Sequence, residues 1–182
     1  MLELTVFSHQ SPIPGTASAC LAELLKNISI KTFYDTFHEQ NSAENMAIYV
    51  EENFTDSKIK KELNDPSNIF ILAEENGLPI GYAKLSRSSA IPHIMKEECI
   101  EICRIYVLKE AIGKGIGKAI MNKCIEIAHG LKHKMICLGV WEHNRLAIAF
   151  YERHGFEKFG EHVFMLGNDR QNDWLMKKYI GD

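Results

Sequence analysis

No apolar run in the chain approaches the ~18 residues that a membrane-spanning helix requires. The opening Met1-Leu2-Glu3-Leu4 lacks the basic start and long apolar stretch of a secretory signal. A basic tract is missing too: 21 Lys and Arg stand against 24 Asp and Glu, for a formal net charge of -3. Such a chain has little with which to neutralise a row of phosphates, so nucleic acid is not expected as a partner, whereas a small cation is electrostatically welcome. The five cysteines form no paired framework, which points to a reducing, cytoplasmic setting. Cys99 and Cys103 are four apart and the eight histidines are scattered, so no zinc-type ligand set and no metal is expected. Cys103 has no recognisable activating histidine, which argues against an acyl-cysteine route. Internal repeats, low-complexity tracts and linkers are absent. With 182 residues, 46% of them hydrophobic, one domain over 1–182 with a single good core is the expectation.

Three helices are expected toward the front. A short strand at Leu4–Phe7 and a loop from Ser8 to Gly15, with Pro12 and Pro14, lead to Thr16 as N-cap of a helix carrying Leu21, Leu24, Leu25 and Ile28. Ser42 caps a second helix with Glu44 in its first turn and Met46, Tyr49, Val50 and Phe54 as the apolar stripe. A third runs from Ser57 to Leu63 and stops at Asp65-Pro66. The pattern then becomes strand-like: Ile69–Ala73, a turn at Glu75–Pro79, and Ile80–Leu85 as hairpin partner. Cys99–Leu108 is a long strand, followed by a helix over Gly113–Ala128 that buries Ile116, Ile120, Cys124 and Ile127 and stops at Gly130. A strand at Met135–Val140, a helix at Asn144–Arg153 ended by Gly155, and strands at Phe156–Leu166 and Asp173–Ile180 complete the chain. This order predicts a mixed α/β fold with a partly parallel sheet.

The segment Glu101-Ile-Cys-Arg-Ile-Tyr-Val-Leu-Lys-Glu-Ala-Ile-Gly-Lys-Gly-Ile-Gly-Lys is the most informative. A buried strand runs into a turn where Gly113, Gly115 and Gly117 open an amphipathic helix. Glycines admit positive φ and close approach by a ligand, and free N–H groups at the positive end of a helix dipole suit a pyrophosphate. Lys114 and Lys118 add charge there. A P-loop would need Gly at 112 and Ser or Thr at 119, where Ile112 and Ala119 stand. A dinucleotide fingerprint from Gly113 would need Gly at 118, where Lys118 stands. What is left, x-x-Gly-x-Gly, is weak in isolation.

Its neighbours supply context. Glu101-Ile102, Arg104 to Val107, the glycine turn, Asn144, Ala147, Phe150-Tyr151 and Gly155-Phe156, in this order and spacing, resemble the GNAT superfamily of acetyl-CoA-dependent N-acetyltransferases. The likeness covers the chain from about Ile69 onward. Thr32–Phe37 and Phe164–Asp173 make it look most like the PaiA-type polyamine N-acetyltransferases. One position departs: Ile112 stands where the family's turn usually begins with Gln or Arg, so one side-chain contribution to the pyrophosphate is missing.

The resemblance implies a central mixed sheet, partly splayed and flanked by helices, with acetyl-CoA as co-substrate. It implies cofactor contacts from Ile105, Tyr106 and Val107, whose strand end offers backbone groups to pantetheine, and from Ile112, Gly113, Lys114, Gly115, Ile116, Gly117 and Lys118. Asn144 would cap its helix and hydrogen-bond the pantetheine arm. Tyr151 would protonate the leaving thiolate. Glu101, six residues before Val107, would take the proton that an alkylammonium must lose, usually through water.

The acceptor side is expected on the first two helices and their connection. Tyr34, Asp35, His38 and Glu39 lie there, with Glu44, Glu51 and Glu52 nearby. Asp35 and Glu39 share a face if the first helix continues that far. A polyamine such as spermidine or spermine suits such carboxylates; a protein N-terminus or lysine, or a non-catalytic CoA-binding role, are the alternatives. A homodimer is permitted by the apolar final strand, but not required.

Overall fold

A computed structural model describes residues 1–8, 15–88 and 99–181, with only backbone described for 15–18. Most of the expected Ser8–Gly15 loop, with Pro12 and Pro14, lies outside the described residues.

Among the described residues, seven strands form one sheet. β1 (Leu2–Ser8), β2 (Asn68–Glu75), β3 (Leu78–Ser86), β4 (Cys99–Val107), β5 (Met135–Trp141), β6 (Glu157–Leu166) and β7 (Asp169–Tyr179) lie in the order β1-β2-β3-β4-β5-β7-β6. All neighbours are antiparallel except β4 and β5, which are parallel and joined through a helix. Helices α1 (Gly15–Phe37), α2 (Ala43–Asn53) and α3 (Asp56–Asn64) precede β2; α4 (Ile116–Gly130) and α5 (Arg145–Arg153) flank β5 in sequence.

The helices cover both faces. On β2, Ile69, Ile71 and Ala73 join the core under α4 and α5 with Ile120, Met121, Cys124 and Ile148. The alternate Phe70 and Leu72 join Leu25, Ile28, Met46 and Ile59 under α1, α2 and α3. Central strands covered on both faces read as unbroken apolar runs, which is why β2 carries Ile-Phe-Ile-Leu-Ala.

Local chemistry sets the ends. The Ser42 side chain accepts from the Asn45 N–H and Thr55 from the Lys58 N–H, each a helix N-cap. Thr16, expected as a cap, is already helical, since α1 is in place at Gly15. Helix α4 starts at Ile116, because Gly113 and Gly115 take positive φ of 85° and 83°. Its end is not made by Gly130, which stays helical; Lys132, at φ 62°, takes the left-handed position instead. Ile127 is half-buried, and Met121 and Ala128 complete the buried stripe. The last strand begins at Asp169, four residues ahead of Asp173: Gly167, at φ 58°, and Asn168 close a tight hairpin.

Candidate active site

β4 and β5 are hydrogen-bonded neighbours at only three positions, Cys99–Met135, Ile100–Ile136 and Glu101–Cys137. Beyond them β4 follows β3, β5 follows β7, and the two strands diverge around a cleft of about 460 Å³. One wall carries Ile102 to Val107, the other Gly139 to Trp141. A bulge sharpens the divergence. Lys84 pairs with Arg104 and Leu85 with Ile102, so Cys103 is the extra residue on β4.

The splitting leaves backbone groups facing the cleft. Leu108 N–H bonds the Ile80 carbonyl on the β3 side, 2.9 Å away. Successive N–H groups of a strand point to opposite edges, so those of Val107 and Ile105 turn toward the split. The side chains of Ile105 and Val107 pack into the core beneath α4, and Tyr106 packs on the opposite face, its ring 6.0 Å from that of Tyr82.

The glycine turn lies where β4 hands over to α4. A Cβ on Gly113 or Gly115 would meet no atom of the described residues within 4 Å, so their left-handed conformations are not imposed by packing. The first helical bond runs from Ala119 N–H to the Gly115 carbonyl, 3.0 Å. The N–H groups of Ile116, Gly117 and Lys118 thus belong to the unsatisfied first turn of a 15-residue helix. The Ile116 side chain is core, leaving its amide alone for a ligand. Ile112 borders the cleft and is 66% exposed. An open cradle of backbone donors beside Lys114 and Lys118 fits a diphosphate, and an unpaired strand edge leading from it fits a pantetheine arm.

α5 contributes Asn144 and Tyr151, both on the cleft wall. The Asn144 side-chain oxygen accepts from the Ala147 N–H at 3.1 Å and so caps the helix. Tyr151 is buried, its ring 5.9 Å from Phe156. Burial, and secondarily Cys124, pushes its hydroxyl far above the usual phenol range. It is a neutral proton donor throughout the physiological range. Cys103 borders the cleft as well, but burial and the Glu101 charge raise its thiol to about 12, which leaves almost no thiolate to attack an acyl group.

Glu101 is half-buried where β4 and β5 are still paired, opposite Cys137, and is not among the residues of the cleft wall. Of the four acceptor-side residues expected from the sequence, Asp35 alone borders the cleft, and its carboxylate is taken by Lys31 at 3.0 Å. Tyr34, His38 and Glu39 are exposed and off the wall. Asp35 and Glu39 do not share a helical face, because α1 stops at Phe37 and the chain turns through 38–40.

Much of the remaining cleft wall is aromatic. Phe33 stacks on Tyr49 at 4.6 Å, Phe37 meets Trp141 at 6.1 Å, and Tyr49 meets Phe164 at 5.6 Å. Periodicity alone assigns these rings to the core, as apolar stripe residues. Arg104 is also on the wall, over Phe54 and doubly bonded to Glu62. Asp173 stands among them, paired in register with Trp141 on one side and His162 on the other. In the sequence Asp173 follows the polar run Asp169–Asn172 and precedes Trp174-Leu175-Met176, and nothing there marks it as a cleft residue.

Sheet order, split strands and glycine turn together define an acyltransferase of the GNAT fold. The Acetyltransferase (GNAT) family model matches residues 27–156, and the chain belongs to that family. An uncharacterized N-acetyltransferase of Lactobacillus delbrueckii subsp. lactis, from the pepI 3' region, is 38% identical over 153 residues, 84% of this chain and 88% of that one. Among solved structures, the PaiA N-acetyltransferase of Thermoplasma acidophilum in complex with coenzyme A superposes with TM-score 0.76 at 19% identity, covering 98% and 99% of the two chains. YncA of Salmonella typhimurium, a putative acetyltransferase with acetyl-CoA, gives 0.70 at 15% identity over 99% and 95%. The protein is therefore a GNAT-type N-acetyltransferase, an enzyme with acetyl-CoA as co-substrate. Among the described residues no helix is long and apolar enough to cross a membrane.

Proposed function

We propose that the chain acetylates the primary amine of a small cationic substrate, a polyamine such as spermidine or spermine, by direct transfer in a ternary complex. The split between β4 and β5 carries this reading, since one cleft joins the open strand edge and Tyr151 to an aromatic acceptor wall. Acetyl-CoA supplies the electrophilic thioester. The turn at Gly113, Lys114, Gly115, Ile116, Gly117 and Lys118 would hold its diphosphate, and Ile105, Tyr106 and Asn144 its pantetheine arm. The Val107 N–H, turned to the split, would polarise the acyl oxygen, a donor aimed at developing negative charge. Tyr151, kept protonated by burial, would give its proton to the departing sulfur. Glu101, at the closed end and off the cleft wall, would serve as the base only through water, as the alternative to an acid on the wall itself. Ile112 offers no hydrogen bond to the diphosphate. Tyr34, Asp35, His38 and Glu39 would form the outer approach for a cation, Asp35 only after release from Lys31.

The purified enzyme, given acetyl-CoA and a panel of spermidine, spermine, n-butylamine and lysine-containing peptides, should release free thiol with the small amines. Mass spectrometry should find one acetyl group on a primary nitrogen. Turnover on peptides or protein N-termini alone would overturn the small-amine reading.

A further inference from the structure

We infer that Asp173 is the carboxylate that receives the acceptor's ammonium group at the reacting end of the cleft and takes its proton. The inference rests on the acetyltransferase reading above and deepens its acceptor site.

Position comes first. β4 and β5 are parallel and aligned at Glu101–Cys137. Counting up β5, Trp141 is four residues beyond Cys137, roughly 13 Å at 3.3 Å per residue. Val107 is six residues beyond Glu101, one of them spent in the bulge at Cys103, so it stands near the level of Trp141. Asp173 pairs with Trp141 and therefore shares that level. Glu101 does not.

The surroundings of Asp173 suit a cation. Its side chain is only 13% exposed, and Oδ1 is buried without a hydrogen-bond partner among the described residues. Oδ2 is 3.8 Å from His162 Nε2, in ion-pair range but too long for a hydrogen bond. Gly139, on the cleft wall, leaves the space beside both: a Cβ there would come to 3.4 Å from His162 Nε2 and 3.5 Å from Asp173 Oδ2. Burial of a carboxylate oxygen that no donor reaches is costly, and such groups persist where a ligand completes them. Trp141, Phe37, Tyr49 and Phe164 add ring faces suited to an ammonium and its methylenes. A cationic amine with an apolar stem meets each of these demands; an anionic acceptor meets none.

The step balances. The ammonium gives one proton to Asp173, the nitrogen's lone pair then forms the N–C bond as the thioester C–S bond breaks, and the sulfur takes a proton from Tyr151. The second nitrogen proton restores Tyr151 through water, and Asp173 releases its own to solvent, one proton per turnover. Burial holds the Asp173 carboxyl up at about 6, with Glu142 adding to the rise and His162 opposing it. A base in that range is ionised at neutral pH yet able to take a proton.

The test compares Asp173→Asn with Glu101→Gln, using spermidine and n-butylamine. The amine's Kd is measured by calorimetry on protein saturated with coenzyme A, and kcat/KM is followed from pH 5 to 9. Asp173→Asn should weaken amine binding by ~10- to 100-fold, leave the coenzyme A Kd within about twofold, and abolish the acidic limb near pH 6. Glu101→Gln should keep that limb, and Asp173→Glu should restore it in part. Unchanged amine binding in Asp173→Asn, or loss of the limb in Glu101→Gln alone, overturns the assignment. A wild-type enzyme that acetylates none of the amines would instead count against the small-amine reading itself.

Discussion

Glu62 of α3 and Arg104 of β4, 42 positions apart in sequence, meet through two parallel hydrogen bonds of 2.7 and 3.0 Å, and Lys84 of β3 adds a third contact to the same carboxylate at 2.7 Å. Burial alone would raise Glu62, but Arg104 and Lys84 hold it below the usual carboxylate range. The group fixes α3 against the sheet and holds Arg104 along the cleft wall, over the Phe54 ring at 5.1 Å.

Glu62→Gln would leave two buried cations with no anion between them. The loss expected is ~3–5 kcal/mol, a fall in melting temperature of roughly 10 °C, read by calorimetry at pH 7. Activity below the transition should fall far less than stability.

Tyr151→Phe keeps the ring in its place beside Phe156 and removes only the hydroxyl. Turnover should drop by ~10²–10³, with the coenzyme A Kd within about twofold. Equal losses in both would mean that the hydroxyl binds and does not act as the acid.

Ile112 is exposed at the entry to the glycine turn, so Ile112→Arg can be accommodated without disturbing the core. A guanidinium there should tighten coenzyme A binding by ~3- to 10-fold, less than the full worth of a charge-assisted hydrogen bond because the position is open to solvent. Titration calorimetry at two salt concentrations would show the gain shrinking as salt rises.

Asp173 carries a stability signature as well. His162 from β6, Glu142 after β5 and Tyr49 from α2 are the titratable groups that face it. Its folded carboxyl titrates at about 6, above the ~3.9 of an unfolded Asp, so the native state binds the proton more tightly. The penalty is absent below pH 4, grows between 4 and 6, and is full above 6. Asp173→Asn should therefore stabilise the free enzyme by ~1 kcal/mol at pH 8, after discounting for solvent screening, and by nothing at pH 4. Thermal melts at the two pH values check the sign.

The fold was largely legible in the residues. Apolar alternation marked β2 and β3, the caps Ser42 and Asn144 marked their helices, and positive-φ glycines at 113 and 115 marked the turn into α4. Endings were less legible, because Lys132 takes a conformation usually given to glycine and the Gly167-Asn168 hairpin extends β7. The aromatic wall of the cleft and Asp173 were not legible for a plainer reason. Exposed acids near α1 have the right charge, but the cleft is built by rings from α1, α2, β5 and β6, and its buried acid comes from β7. Only the β5–β7–β6 register brings Trp141, Asp173 and His162 into one row. Nothing local announces that.

The central claim is that the split strand edge and the glycine turn hold the acyl donor. Titrating coenzyme A into ¹⁵N-labelled protein tests it most directly. The account predicts that the largest amide shifts fall at Ile105, Val107 and residues 113–118, with saturable binding. Saturable binding that leaves those amides unmoved, or no binding at all, would contradict it.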